Sequence, residues 1–499
     1  MTSPTDGSSE TGVKTALART IKWNLIDKVS SQVLYAVTGV VLARMLSQED
    51  FGLVGAIAVF QAFAQLFVDS GFSSALIQRK NPTQTDYSTV FWFNMAMSVA
   101  LYGVLWLLAP AIASLFQGDT RLIGLSRVMF LTFILNAASI VQANRLIKHM
   151  TVKWVTLSNS AGLIAGAVVG IWLAVSGYGA WAIVWQAITV AVAKGVILWW
   201  RGGWCPSLTF SFVSLKSCFS VGAGVMGQSF LNTVFQNIYS FLIGNRVGLA
   251  SLGYFTQADK WSKMGVMSLS QTLTSSFLPV LSRYQDDPEQ FARAAARMNR
   301  LTAYLLFPAM GFLAVMATPI FHALFGTKWD PAIVLFQILL LRGVFTVLTA
   351  LYNNYILALG RARLLVATEL LRDAVALGAI VVTLPYLALA TPSDPVAGLR
   401  ILLWGQVIAT VITWIATLVM TVRLIPAATA GRFLLDLAPY LAMVIPVAGA
   451  MWWLSTLIAN VWGLLAAQAI AGCALWLGLG ALLGSRIQRE AIGYIIGRR

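Results

Sequence analysis

The chain has 499 residues, of which 58% are hydrophobic and only 10% charged, with a formal net charge of +16. Soluble domains carry about 25% charged residues, so this composition excludes a mainly soluble protein and points to helices facing lipid. The excess of Lys and Arg then reads as the orientation signal of a membrane protein rather than as a nucleic-acid footprint. Residues 1–20 open with a polar stretch and lack the short apolar core and small-residue cleavage site of a signal peptide, so they read as a disordered cytoplasmic tail. A membrane-crossing helix needs about 20 mainly apolar residues. Such windows follow at 22–45, 51–77, 87–115, 122–146, 154–175, 179–200, 217–243, 249–281, 299–320, 332–358, 364–388, 400–422, 434–456 and 460–484. The seventh and eighth are the most polar of them.

Charge between the windows supports this reading. With the N-terminus in the cytoplasm, 24 of the 34 Lys and Arg residues fall near cytoplasmic ends, whereas the opposite side holds only Arg44, Arg121, Arg246, Lys328 and Arg400. The bias follows the positive-inside rule and places both termini in the cytoplasm. Five basic residues remain inside windows: Arg127, Lys260, Lys263, Arg342 and Arg372. Arg127 sits close enough to an end to snorkel.

The two halves of the chain echo each other. A turn before Gly52 leads into a long window ending near Arg79, and a similar turn before Gly253, at an offset of 201, leads into one ending near Arg283. Repetition of the hairpin predicts an all-α membrane protein of two six-helix lobes in parallel repeat, residues 21–201 and 217–424. A linker at 202–216, rich in Gly, Ser and aromatic residues, would lie on the cytoplasmic membrane surface, and 425–499 would add two C-terminal helices.

Charge at bilayer depth costs several kcal/mol and persists where it meets a partner, a wet cavity or a substrate. Asp259, Lys260 and Lys263 share one side of the eighth window, with Gln257 and Gln271 near the same azimuth. They form either a polar stripe that attracts an anion or a self-neutralising Asp259–Lys263 pair beside a separately paired Lys260. Arg342 has no acidic neighbour at helical spacing, so its partner comes from another helix or from a ligand; Arg grips phosphate in bidentate fashion. Glu369, Arg372 and Asp373 occupy one face and can satisfy one another or contribute to a site. Asp69, an isolated carboxylate within the second window, is a candidate for binding a coupling H+ or Na+ ion, for pairing with a cationic span or for capping a helix break.

Catalytic and metal signatures are missing. The sequence has no GxSxG, HExxH, Walker A or DxD motif, its three cysteines (Cys205, Cys218 and Cys473) are scattered, and its two histidines (His149 and His322) are assigned to opposite membrane edges. No enzyme activity, metal or cofactor is expected, apart from coupling to H+ or Na+. The outer loops are too short for an external catalytic domain.

Several segments resemble the Wzx-type polysaccharide and lipopolysaccharide exporters of the multidrug/oligosaccharidyl-lipid/polysaccharide exporter superfamily. They are LARMLSQEDFGLVGAIAVFQAFAQLFVDSGFSSALIQRK from Leu42 to Lys80, DYSTVFWFNMAMS from Asp86 to Ser98, QANRLIKHMTVKW from Gln142 to Trp154, GLASLGYFTQADKWSKM from Gly248 to Met264, and LYNNYILALGRARLLV from Leu351 to Val366. The likeness runs from about Trp23 to Arg423; the last two windows match only in hydrophobicity. It implies two lobes around a central cavity in the bacterial cytoplasmic membrane. It also implies transfer of undecaprenyl-diphosphate-linked oligosaccharides from the cytoplasmic to the periplasmic leaflet by alternating access. The implied partners are the lipid-linked oligosaccharide, membrane lipid and other polysaccharide assembly proteins, with no nucleic acid. Under this resemblance Lys260, Lys263, Arg342, Gln257 and Arg372 would contact diphosphate or glycan, and Asp69, Asp259, Glu369 and Asp373 would serve coupling or gating. A lipid II flippase and a drug or cation antiporter are the nearest rivals. The basic set argues against the antiporter, and the short outer loops against a membrane glycan polymerase or ligase.

Overall fold

The computed structural model describes residues 7–69, 76, 79, 81–389, 394–425, 429–485 and 487–489; among these, the side chains of 7–19, 21, 69, 218–226, 228, 272, 274 and 275 are excepted. Its long helices are α1 (Gly7–Met45), α2 (Gln48–Asp69), α3 (Gln84–Leu115), α4 (Arg121–Met129), α5 (Leu131–Lys148), α6 (Val152–Val175), α7 (Trp181–Gly202), α8 (Phe212–Arg246), α9 (Leu249–Leu281), α10 (Pro288–Val315), α11 (Ala317–Leu324), α12 (Asp330–Ala358), α13 (Ala362–Thr383), α14 (Ala397–Leu424), α15 (Ala430–Leu457) and α16 (Val461–Leu482). Among the described residues there is no β-strand. Among the described residues, eleven segments are long and apolar enough to cross a membrane: α1 from Lys22, α2, α3, α4 with α5, α6, α7, α10, α12 with the turn before it, α14, α15 and α16. The remaining expected windows correspond to α8, α9 and α13, helices of 35, 33 and 22 residues. Helix α9 carries Asp259, Lys260 and Lys263, and α13 carries Arg363, Glu369, Arg372 and Asp373.

Several boundaries depart from the sequence reading. Helix α1 begins at Gly7, within the tail expected to be disordered; residues 8–20 hold no Pro and several good helix formers, so nothing stops the first span from extending backwards. Helix α10 begins eleven residues before the expected 299. Asp287 caps it by accepting the backbone N–H groups of Glu289 and Gln290, with Pro288 in the first turn, so Arg293 and Arg297 ride on a helix rather than a loop.

Two compact units divide the chain, Met1–Gly253 and Tyr254–Arg499. In the first, α6 and α7 form the tightest hairpin, α1 packs on α6, and α5 packs on both α3 and α7. Gly162, Gly166 and Gly170, spaced by four, form the face of α6 that meets Gln186, Val190 and Lys194 of α7. The expected linker is anchored here. Gln142 donates to the Trp204 carbonyl at 2.7 Å, Gln84 to the Cys205 carbonyl at 2.9 Å and Trp92 to the Ser207 carbonyl at 2.9 Å. Trp204 is buried with Tyr87, Phe91 and Val141, while Leu208, Phe212 and Val213 stay exposed. In the second unit α12 packs on α14, α14 on α13, and α15 on both α10 and α16.

The echo at an offset of 201 has a physical counterpart inside the first unit. A Cβ on Gly52 would lie 1.8 Å from the Leu249 carbonyl oxygen, and a Cβ on Gly253 would lie 1.9 Å from the Gln48 carbonyl oxygen. Gln48 and Leu249 are themselves 201 apart, so the first turns of α2 and α9 cross reciprocally, backbone against glycine. Only hydrogen fits at either position. Gly52→Val or Gly253→Val is therefore expected to force the crossing open and cost about 1–3 kcal/mol. Thermal unfolding in detergent checks this; an unchanged midpoint in both variants would mean the crossing yields freely.

Candidate functional site: a basic cluster in the second unit

The spacing of α9 places Asp259 and Lys263 one turn apart, and their side chains pair at 2.6 Å. Helix α12 brings Arg342 to the other carboxylate oxygen of Asp259, 3.6 Å from its Nη2. Arg342 Nη1 donates to Gln406 Oε1 of α14 at 3.0 Å. Asp259 thus bridges two cations on two helices, and the acidic partner that Arg342 lacks in its own helix comes from α9. Lys260 differs. Its ammonium lies 5.5 Å from the Trp261 ring centroid, its side chain is exposed, and no carboxylate lies within ion-pair distance among the described residues. Trp261 is held by donating its indole N–H to Gln257 Oε1 at 3.0 Å.

Asp259 and Arg342 are 16% and 24% exposed, shielded enough for electrostatics to matter, and Lys263 is 40% exposed. Lys263 and Arg342 face the one carboxylate, and with Lys260 next to it in the α9 sequence the set of four carries a net charge of +2. Gln257 and Gln406 are buried, and the amide nitrogen of each has no hydrogen-bond partner. Unmade bonds of buried donors cost about 1–3 kcal/mol each, so both amides keep a spare donor, that of Gln406 on the side chain that already meets Arg342. Cations in excess, flanked by spare N–H donors, can hold an oxyanion of about two charges.

The other candidates fall elsewhere. Arg372 lies 2.6 Å from Glu369 and 2.9 Å from Asp373, so the α13 trio neutralises its own cation. Arg372→Gln is expected to change anion binding by less than about fivefold, since surface pairs contribute roughly 0–1 kcal/mol; titration with pyrophosphate checks it. The Asp69 side chain lies outside the described residues, and Cys218 does too. Sequence reasoning missed Gln406, although a lone Gln between Trp404 and Val407 in an apolar span was a visible signal. It also counted Lys194 with the cytoplasmic ends, whereas Lys194 lies within α7, eight residues before its last residue Gly202.

Residues 41–334 match the family described as polysaccharide biosynthesis protein. The chain is 27% identical to the teichuronic acid biosynthesis protein TuaB of Bacillus subtilis (strain 168), over 69% of this chain and 71% of that one. It is 25% identical to the succinoglycan biosynthesis transport protein ExoT of Rhizobium meliloti (strain 1021), over 73% and 74%. Among solved structures it resembles the lipid II flippase MurJ in an inward closed conformation, with a TM-score of 0.73 and 14% identity, covering 95% of this chain and 100% of that one. This last likeness establishes the fold alone.

Proposed function

The chain belongs to the polysaccharide biosynthesis protein family, and from that premise we propose that it is a flippase for undecaprenyl-diphosphate-linked oligosaccharide repeat units. It moves them from the cytoplasmic to the periplasmic leaflet of the inner membrane by alternating access, making and breaking no covalent bond, with both termini in the cytoplasm. The observation that carries this reading is the cluster of Lys260, Lys263, Arg342 and Asp259, whose excess of two positive charges suits a diphosphate. Arg342 and Lys260 hold the anion. Lys263 is tied to Asp259, and the spare amides of Gln257 and Gln406 donate to phosphate or sugar oxygens. A cation antiporter would need the opposite charge at this depth.

The test is a leaflet-translocation assay in vesicles carrying the purified protein and a fluorescent undecaprenyl-diphosphate oligosaccharide. Flipping faster than in protein-free vesicles is expected. Equal rates would refute the reading, and movement of lipid II alone would transfer it to the nearest rival. Under this reading, coupling to H+ or Na+ runs through Asp69. Asp69→Asn is then expected to flatten the dependence of the rate on pH or sodium, and a dependence that survives the substitution removes that role.

A further inference from the structure

The first unit holds a polar cavity of about 450 Å³, lined by Gln65 of α2, by Asn136, Ser139, Ile140, Ala143 and Asn144 of α5, and by Lys194 of α7. That volume lies within the range of small-molecule sites, roughly 300–1,000 Å³. Its lining is unusual for the inside of an apolar bundle, with four neutral hydrogen-bonding side chains and one ammonium. Lys194 makes no hydrogen bond and no ion pair within 4 Å among the described residues; the one carboxylate in electrostatic reach is Asp27 of α1. Asp27 in turn accepts from Asn159 of α6 at 3.2 Å. Asn144 is 8% exposed, and its amide nitrogen, more than nine-tenths buried with its side chain, has no partner. Lys194 and Asn144, a lone cation and a buried amide whose nitrogen has no partner, therefore line the same polar cavity, with Lys194 about 12 Å below the end of α7 at 1.5 Å per helical residue.

We propose that this cavity is a subsite for a carboxylate-bearing sugar of the transported glycan. Charge arithmetic separates it from the cluster in the second unit. A phosphate monoester carries about 1.5 to 2 negative charges and a diphosphate no fewer, more than can be balanced by Lys194, the single cation of the lining, which makes no ion pair with Asp27. A uronate carries one. The ammonium of Lys194 and the amide of Asn144 can each donate to its two oxygens, while Gln65, Asn136 and Ser139 meet ring hydroxyls, which are donors and acceptors at once. The inference rests on the proposed glycan-lipid substrate but names which glycans the site prefers.

The test measures binding to the full-length protein in nanodiscs with three probes: a glucuronate-containing trisaccharide, the same trisaccharide with glucose in place of glucuronate, and inorganic pyrophosphate. Wild type is expected to prefer the glucuronate probe by about tenfold, the size of one charge-assisted bond. Lys194→Gln is expected to bring that preference close to one, Lys194→Arg to retain most of it, and Asn144→Leu to reduce it. Thermal midpoints of the variants separate loss of binding from loss of fold. Equal binding of the two trisaccharides by wild type, or a preference that survives Lys194→Gln, overturns the subsite. Failure of the flippase reading shows separately, as absent pyrophosphate binding or binding indifferent to Arg342→Gln.

Discussion

Arg342→Gln is expected to weaken pyrophosphate binding by about 10- to 100-fold and to slow lipid flipping to a comparable degree. The guanidinium would contribute charge-assisted hydrogen bonds, and each such bond is worth about 1.5–3 kcal/mol, or one to two decades in affinity. Glutamine keeps a donor for Gln406 Oε1, so the hydrogen bond between α12 and α14 is retained. Asp259 retains Lys263 at 2.6 Å, which limits the damage to the fold. Lys260→Gln is the sharper control. Lys260 makes no ion pair among the described residues, so its loss is expected to lower affinity about tenfold and leave the thermal midpoint where it was. Isothermal titration and the translocation assay check both variants. Pyrophosphate affinity equal to wild type in both would mean that the cluster only holds helices together.

What sequence alone reveals depends on the range of the interaction. The Asp259–Lys263 pair follows from spacing on one helix, because residues four apart are neighbours whatever surrounds them. In the α13 trio the Glu369–Arg372 pair, three apart, follows for the same reason, whereas the contact of Arg372 with the adjacent Asp373 does not follow from helical spacing. The Arg342–Asp259 contact needs the relative depth and rotation of α9 and α12, which periodicity does not contain. Gln406 enters only through that contact. Lys194 was hidden by a different rule, since a basic residue eight positions from a span end is easily assigned to the interface; its surroundings in α2 and α5 identify it as a cavity residue. The crossing of Gly52 and Gly253 lies between these extremes. Its offset is readable in the chain, but the reciprocal approach to Leu249 and Gln48 requires the backbone to be placed.

Asp259→Asn separates a binding site from a structural bridge, because the two roles predict different outcomes. Asp259 holds Lys263 at 2.6 Å and Arg342 at 3.6 Å, so neutralising it leaves two cations facing each other without compensation. Breaking a fully buried pair costs about 3–5 kcal/mol; Lys263 is 40% and Arg342 24% exposed, so solvent screening makes the loss smaller here. A lower thermal midpoint is therefore expected under either role. The roles diverge on adding an anion. At an effective dielectric near 20, removing one negative charge about 7 Å from a bound oxyanion favours binding by roughly 2.4 kcal/mol per unit of ligand charge before salt screening, a gain of about 50-fold. Asp259→Asn is thus expected to bind pyrophosphate more tightly than wild type, with a steeper loss of affinity as salt rises. Ligand that binds the folded state raises its stability by mass action, so pyrophosphate is also expected to restore the lost thermal midpoint. Tighter binding of the diphosphate slows its departure, and the variant is expected to flip lipid more slowly despite its higher affinity. Calorimetric titration at two salt concentrations, thermal unfolding with and without pyrophosphate, and the vesicle assay together read this pattern. A lowered midpoint that pyrophosphate fails to restore, with affinity unchanged, would leave Asp259 as a bridge between α9 and α12 and nothing more.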